Sequence, residues 1–162
     1  MPLDSESKIQ FIQNTLVGRG QTLALAESCT GGALSAELAR RPGASKYFIG
    51  SVVSYHREIK NKILRVPLPL LQSLGEVSVP VAKMMAHGVR NEFAVDWAIA
   101  ITGVAGPTGG SVEKPVGTVC FSIVGPGHEL HIQKKFGPLS RREIQDLSVS
   151  FSLDLLYDAL KT

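Results

Sequence analysis

Apolar positions recur along this chain with two periods, and the changes between them mark its elements. Over residues 5–17, Ile9, Ile12 and Leu16 return every three or four positions, which predicts an amphipathic helix ending at Gly18 or Gly20. The run Thr22-Leu23-Ala24-Leu25-Ala26 predicts a strand, and residues 33–39 a second helix closed by Pro42-Gly43. Residues 49–55 are β-rich and read as a second strand. A polar helix carrying Glu58, Lys60 and Lys62 follows and stops near Pro67, and residues 68–74 form a short helix ended by Gly75. Residues 79–93 place Val81, Met85, Val89 and Phe93 along one helical face. Residues 97–101 are almost wholly apolar, as in a central strand buried on both faces. Residues 116–124 and 130–135 read as strands of a hairpin turned at Gly125-Pro126-Gly127-His128. The last helix carries Ile144, Leu147, Phe151 and Leu155. Helices and strands alternate first and a hairpin comes late. That order predicts an α/β fold: one domain over residues 1–162, a three-layer α/β/α sandwich on a mixed, mainly parallel sheet.

The junction between the first strand and the second helix is the richest in chemistry. Ala26-Glu27-Ser28-Cys29-Thr30-Gly31-Gly32 puts hydroxyls and a thiol in a strand-to-helix turn. Such a turn opens at the carboxyl edge of a sheet, where α/β proteins hold ligands. A new helix also offers unpaired N–H groups suited to an anion or a developing oxyanion, here at Thr30 and Gly31. Ser28 needs a base. His87 falls in a helix, and His128 and His131 in the late hairpin, where a zinc pair has little support. His56 lies nearer, at a strand end. A lysine made neutral by burial is the other choice, and Lys60 and Lys62 both follow the second strand. On residue pattern alone the two are not separated, and an ordinary solvated helix face is the plain expectation for either. Cys29 is a second nucleophile candidate, and Cys120 reads as core. The glycine-rich loop Gly103 to Gly110, with Gly106 and Gly109 inside it, leaves the central strand and offers backbone N–H groups to an anion. It matches neither the Walker loop nor the dinucleotide fingerprint. Gly31 stands three residues on from Ser28, in the place of lysine, which argues against a Ser-x-x-Lys site.

Composition narrows the classes further. With 162 residues, 44% hydrophobic and 19% charged, the chain reads as an ordinary globular domain with a full core. The net charge is +3, and the basic pairs Arg40-Arg41, Lys134-Lys135 and Arg141-Arg142 are scattered without interleaved aromatics. Direct nucleic-acid binding is therefore not expected, and a small anionic molecule is slightly favoured. No apolar run reaches membrane-spanning length, and Met1-Pro2-Leu3-Asp4-Ser5-Glu6 lacks a secretory pattern. Two cysteines suit a reducing, cytoplasmic setting. This much apolar sequence in a small domain also suggests a homo-oligomer.

Taken together, several stretches resemble the C-terminal domain of the CinA (competence/damage-inducible) family. They are Ala26 to Gly32, Gly50 to Lys60, Gly75-Glu76-Val77-Ser78, Thr102 to Gly110, and Glu113 to Val119, in family order across nearly the whole chain. The resemblance implies a hydrolase that deamidates nicotinamide mononucleotide to nicotinic acid mononucleotide and ammonia, with no cofactor and no metal. Its serine nucleophile matches Ser28 and its lysine base matches Lys60. Its further site residues match Tyr55, Thr102 and Arg141. Glu76 stands where the family has alanine and Thr108 where it has aspartate. Arg57, Ser140 and Gln145 also depart from the pattern. Larger members carry an additional N-terminal domain. A catalytically silent nucleotide binder, or a competence- or damage-related interaction protein of the same fold, fits the same resemblance.

Overall fold

The computed structural model describes residues 3–162; Met1 and Pro2, the start of both the N-terminal stretch and the domain read above, lie outside them. Five strands form one sheet in the order β2-β1-β3-β4-β5. They are β1 (Leu23–Glu27), β2 (Phe48–Val53), β3 (Trp97–Gly103), β4 (Thr118–Gly125) and β5 (His128–Lys135). β1 pairs in parallel with β2 on one side and β3 on the other, while β4 runs antiparallel to both β3 and β5. Only β4 is reversed, so the sheet is mixed and parallel where it matters for the site.

Six helices cover its two faces: α1 (Ser5–Arg19), α2 (Ala33–Ala39), α3 (Arg57–Lys62), α4 (Leu68–Leu74), α5 (Val79–Phe93) and α6 (Arg141–Lys161). The first is delimited by its own sequence. Asp4 accepts the Ser7 N–H at the start, and Gly20, left-handed at φ 64°, donates to the Leu16 and Val17 carbonyls at the end. Alternation along the strands assigns the layers. Leu23, Leu25, Trp97, Ile99, Ile101 and Phe121 join one core with Ile12 and Leu16 of α1, Leu34 and Leu38 of α2, and Leu156 of α6. Ala24, Ala26, Ala98 and Ala100 face a second core with Leu64, Leu71, Met85 and Val89. The alanine face lets α5 lie close to the sheet. Gly88 of α5 is wedged so tightly that a Cβ there would stand 2.0 Å from the Leu64 carbonyl oxygen.

Three sequence expectations shift. The second strand ends at Val53 rather than Tyr55, because its only partner, β1, ends at Glu27. The first hairpin strand starts at Thr118 rather than Val116, since the chain turns there through a Thr118 N–H to Pro115 carbonyl bond. The buried face of α6 runs through Ile144, Ser148, Ser152 and Leu156, with Leu147 left 40% exposed. Two serines go inside because each hydroxyl donates to the carbonyl four residues back, Ile144 and Ser148 respectively. An apolar count does not detect that arrangement. No helix among the described residues is long and apolar enough to cross a membrane.

Gly88→Ala tests the close packing of α5. It should lower stability by about 1–3 kcal/mol in urea unfolding, against a near-neutral effect for Gly18→Ala, where a Cβ meets nothing within 4 Å.

Candidate active site

Ser28 extends β1 by one residue: its N–H donates to the Ile101 carbonyl at 2.9 Å. The chain then reverses. The Gly31 N–H donates back to the Ser28 carbonyl at 3.0 Å, and Gly31 and Gly32 take φ of 58° and 99°, a left-handed pair that only glycine adopts cheaply. This turn brings Ser28 to the carboxyl edge of the sheet while α2 starts immediately behind it.

The start of α2 is not open to a ligand. Glu27, at 0% exposure, turns its carboxylate under the helix. Its Oε1 accepts from the Leu34 N–H and the Thr30 hydroxyl at 2.9 and 2.7 Å, and its Oε2 from the Ser35 N–H at 2.9 Å and from the Ser35 hydroxyl. Thr30 and Gly31 were expected to contact an anion. The Thr30 hydroxyl and the Gly31 N–H are taken up inside the turn instead, and neither residue lines the cleft.

Lys60 comes to the same point from the neighbouring strand. β2 lies beside β1, so α3, which follows β2, begins next to the Ser28 turn. The His56 ring accepts the Glu58 N–H and starts α3. Lys60 then faces inward at 0% exposure while Lys62 faces solvent. The Lys60 Nζ is 2.9 Å from Ser28 Oγ, 2.6 Å from the Ser54 carbonyl oxygen and 3.7 Å from Glu76 Oε1. Burial pushes the amine below the ordinary lysine value, and the Glu76 carboxylate pulls part of the way back. The structure thus separates the two lysines and overturns the solvated-face expectation for Lys60.

These groups open into a cleft of about 170 Å³ lined by Ser28, Cys29, Tyr55, Glu76, Val77, residues 102–106, Thr108 and Arg141. Thr102 Oγ1 donates to the Glu76 carbonyl at 2.7 Å. Gly103 sits where a Cβ would come 3.1 Å from Cys29 Sγ and 2.8 Å from a Val119 methyl. Arg141, at the start of α6, bridges the mouth: its Nε donates to the Gly106 carbonyl at 2.7 Å and its Nη1 to the Tyr55 hydroxyl at 3.0 Å. Tyr55, matched by the resemblance to a site residue, makes no hydrogen bond to Lys60. It turns instead to Arg141, and the Ser54 carbonyl orients the amine. Gly109 and Gly110 are exposed beyond the cleft wall. Cys29 is buried with its thiol pushed up to about 12, so it stays protonated and a poor nucleophile.

The histidines go elsewhere. His87 and His131 both meet Glu129 Oε1 at 2.8 Å, and His128 lies 5.8 Å from the Trp97 ring. No group of three or more potential ligands among the described residues is placed to hold a metal. A larger cavity of about 650 Å³ between α1 and α2 is lined by Glu6, Glu37, Arg40 and Arg41 with no nucleophile and base together. Three contributors were not identified as site residues in the sequence. Ser54 acts through its carbonyl, which side-chain identity does not reveal. Glu76 stood out only as a departure inside a recognised motif. Gln145 donates to the Cys29 carbonyl at 3.0 Å, bracing the turn from α6 across 116 residues of sequence.

A family model described as "CinA C-terminal domain" matches residues 5–160. A CinA-like protein of Synechococcus sp. (strain CC9902) is 47% identical over 154 residues, which is 94% of this chain and 37% of that protein. One from Desulfotalea psychrophila is 43% identical over 153 residues, again 94% of this chain and 37% of the relative. The chain thus spans little more than a third of these curated relatives. Among solved structures, the competence/damage inducible protein CihA from Agrobacterium tumefaciens superposes with a TM-score of 0.94 at 34% identity, covering 100% of this chain and 98% of that one. A CinA superfamily protein from Klebsiella pneumoniae superposes at 0.91 and 30% identity, covering 98% and 99%.

Glu27→Ala should destabilise the fold by about 3 kcal/mol, because the Leu34 and Ser35 N–H groups lose a buried charged acceptor. Urea unfolding reads the loss, and amide exchange at Leu34 and Ser35 should accelerate before that at the β3 core.

Proposed function

Because this chain belongs to the CinA C-terminal domain family, we propose that it is a serine amidohydrolase that converts nicotinamide mononucleotide to nicotinic acid mononucleotide and ammonia. The observation that carries this reading is the buried Lys60 amine 2.9 Å from the Ser28 hydroxyl. A serine needs a base, and no histidine reaches it. A lysine serves only when neutral, which burial favours.

The chemistry follows from those positions. Neutral Lys60 takes the proton of Ser28 as Oγ attacks the carboxamide carbon. The tetrahedral oxygen needs a donor. Along β3, the Trp97 N–H donates toward β1 to the Thr22 carbonyl, and the Ile101 carbonyl accepts from Ser28 on that same side. Gly103 continues the alternation past the end of β1, so its N–H is directed at the Ser28 turn and is the candidate oxyanion donor. The Lys60 ammonium then protonates the leaving nitrogen, the carbon–nitrogen bond of the tetrahedral intermediate breaks, and ammonia departs, leaving an ester on Ser28. Water enters, Lys60 takes its proton, the ester is cleaved, and Ser28 recovers its hydrogen. The nucleotide phosphate is assigned to Arg141 and the Gly103–Gly106 segment, the cationic side of the cleft. No cofactor or metal enters this sequence, and Thr102 acts by holding the cleft wall through its bond to the Glu76 carbonyl.

Ser28→Ala and Lys60→Ala should each cut ammonia release from nicotinamide mononucleotide by about a thousandfold or more, with unfolding still cooperative. Wild-type turnover in either variant would eliminate the dyad. Lys60→Arg should be equally inactive, since a guanidinium keeps its proton.

The pH dependence has a definite sign. Protonated Lys60 cannot accept from Ser28, so kcat/KM should fall as pH drops through the Lys60 midpoint. That midpoint should lie below the ordinary lysine value, because burial disfavours the ammonium. A kcat/KM profile flat across the acid side would contradict it.

A further inference from the structure

Glu76 is the one carboxylate among the described residues within ion-pair range of Lys60. It stands in the turn between α4 and α5, and two features hold it there. Gly75 takes φ 75° and ψ −176° and swings the chain toward the cleft. The Glu76 carbonyl then accepts the Thr102 hydroxyl at 2.7 Å, tying the turn to the end of β3. The side chain remains 40% exposed at the cleft, with Oε1 3.7 Å from Lys60 Nζ. Other charged or titratable groups nearby have different partners, Lys114 at the same turn donating to the Leu74 carbonyl. Glu27 is committed beneath α2, Arg141 to Tyr55 and Gly106, and the Cys29 thiol is kept neutral by burial. His56 caps α3 from its exposed side, and the Arg57 guanidinium donates to the Leu71 carbonyl.

We propose that Glu76 is a positioning residue: it orients the Lys60 amine toward Ser28 and stabilises the ammonium formed when Lys60 takes the serine proton. The inference rests on the reading of Lys60 as the base for Ser28. A neutral primary amine has two N–H bonds and one lone pair. The Ser54 carbonyl at 2.6 Å accepts one N–H bond, and the Glu76 carboxylate, 3.7 Å away, draws the other toward it by charge, which leaves the lone pair on the Ser28 side. When the proton passes from Ser28 Oγ to Lys60 Nζ, the new charge forms at an amine with no solvent contact, and the carboxylate is its nearest counter-charge. Loss of that charge makes Lys60 easier to keep neutral and a weaker base once neutral. The two consequences act on opposite sides of the pH profile.

The test is Glu76→Gln, which keeps the size and one acceptor oxygen, with Glu76→Ala as a second variant. Two quantities are read against pH: kcat/KM for ammonia release from nicotinamide mononucleotide, and the rate at which phenylmethanesulfonyl fluoride labels Ser28, followed by mass spectrometry. The second needs no natural substrate. In both variants the acid-side midpoint should move down by roughly half a pH unit or more in both assays, while the alkaline plateau of kcat/KM falls about threefold. The profiles of wild type and Glu76→Gln should therefore cross. Midpoints that stay in place, with activity unchanged or uniformly reduced, would overturn the proposal and leave the dyad standing. A shifted labelling midpoint in proteins that release no ammonia would support Glu76's hold on Lys60 and defeat the amidohydrolase reading. No labelling of Ser28 at any pH would overturn both.

Discussion

A lysine amine shut away from water is the constraint on which the site depends. An ammonium without solvent is costly, so the group must be neutral, compensated or both. Here the Ser54 carbonyl, the Ser28 hydroxyl and, at longer range, the Glu76 carboxylate surround it. The sheet topology makes that enclosure possible. From β1 the chain moves through α2 to β2 on one side, and β3 flanks β1 on the other. The carboxyl ends of three parallel strands meet at β1, the switch point where open α/β sheets bind ligands. Each supplies one part: β1 the serine turn, β2 the Ser54 carbonyl and the helix bearing Lys60, and β3 the Gly103 segment.

The second organising choice is the internal use of Glu27. Its carboxylate takes two backbone N–H groups and two hydroxyls and fixes the angle at which α2 leaves the serine turn. The helix start is thereby converted from an anion site into a rigid mount. The cation at the cleft mouth is instead Arg141, which α6 presents through the Ser140–Glu143 capping box and to which the proposed function gives the phosphate. Gln145, one turn further on, braces the Cys29 carbonyl, so a single helix supports both the cleft mouth and the Ser28 turn.

Most of the element order was legible in the sequence because strong signals agreed. The 68–74 and 79–93 helices match the structure, each bounded by glycine, proline or serine punctuation. Legibility failed where a residue's role depends on a distant partner. Lys60 sits in a helix of polar composition, and nothing local shows that its side chain meets a turn 32 residues earlier. Only the family resemblance singled it out. Ser148 and Ser152 look like a solvent face until their hydroxyls are seen bonded within the helix. Tyr55 was close to the right place, yet its hydroxyl meets Arg141, whose position is set 86 residues away.

The proposed mechanism requires Lys60 to be a neutral amine beside Ser28 during turnover. An NMR titration of the Lys60 ε-carbon in the intact protein, assigned with Lys60→Arg, reads it directly. The midpoint should lie clearly below the ordinary lysine value and coincide with the acid limb of turnover. A midpoint at or above that value would leave Lys60 an ammonium at neutral pH, unable to accept the Ser28 proton, and would contradict the mechanism.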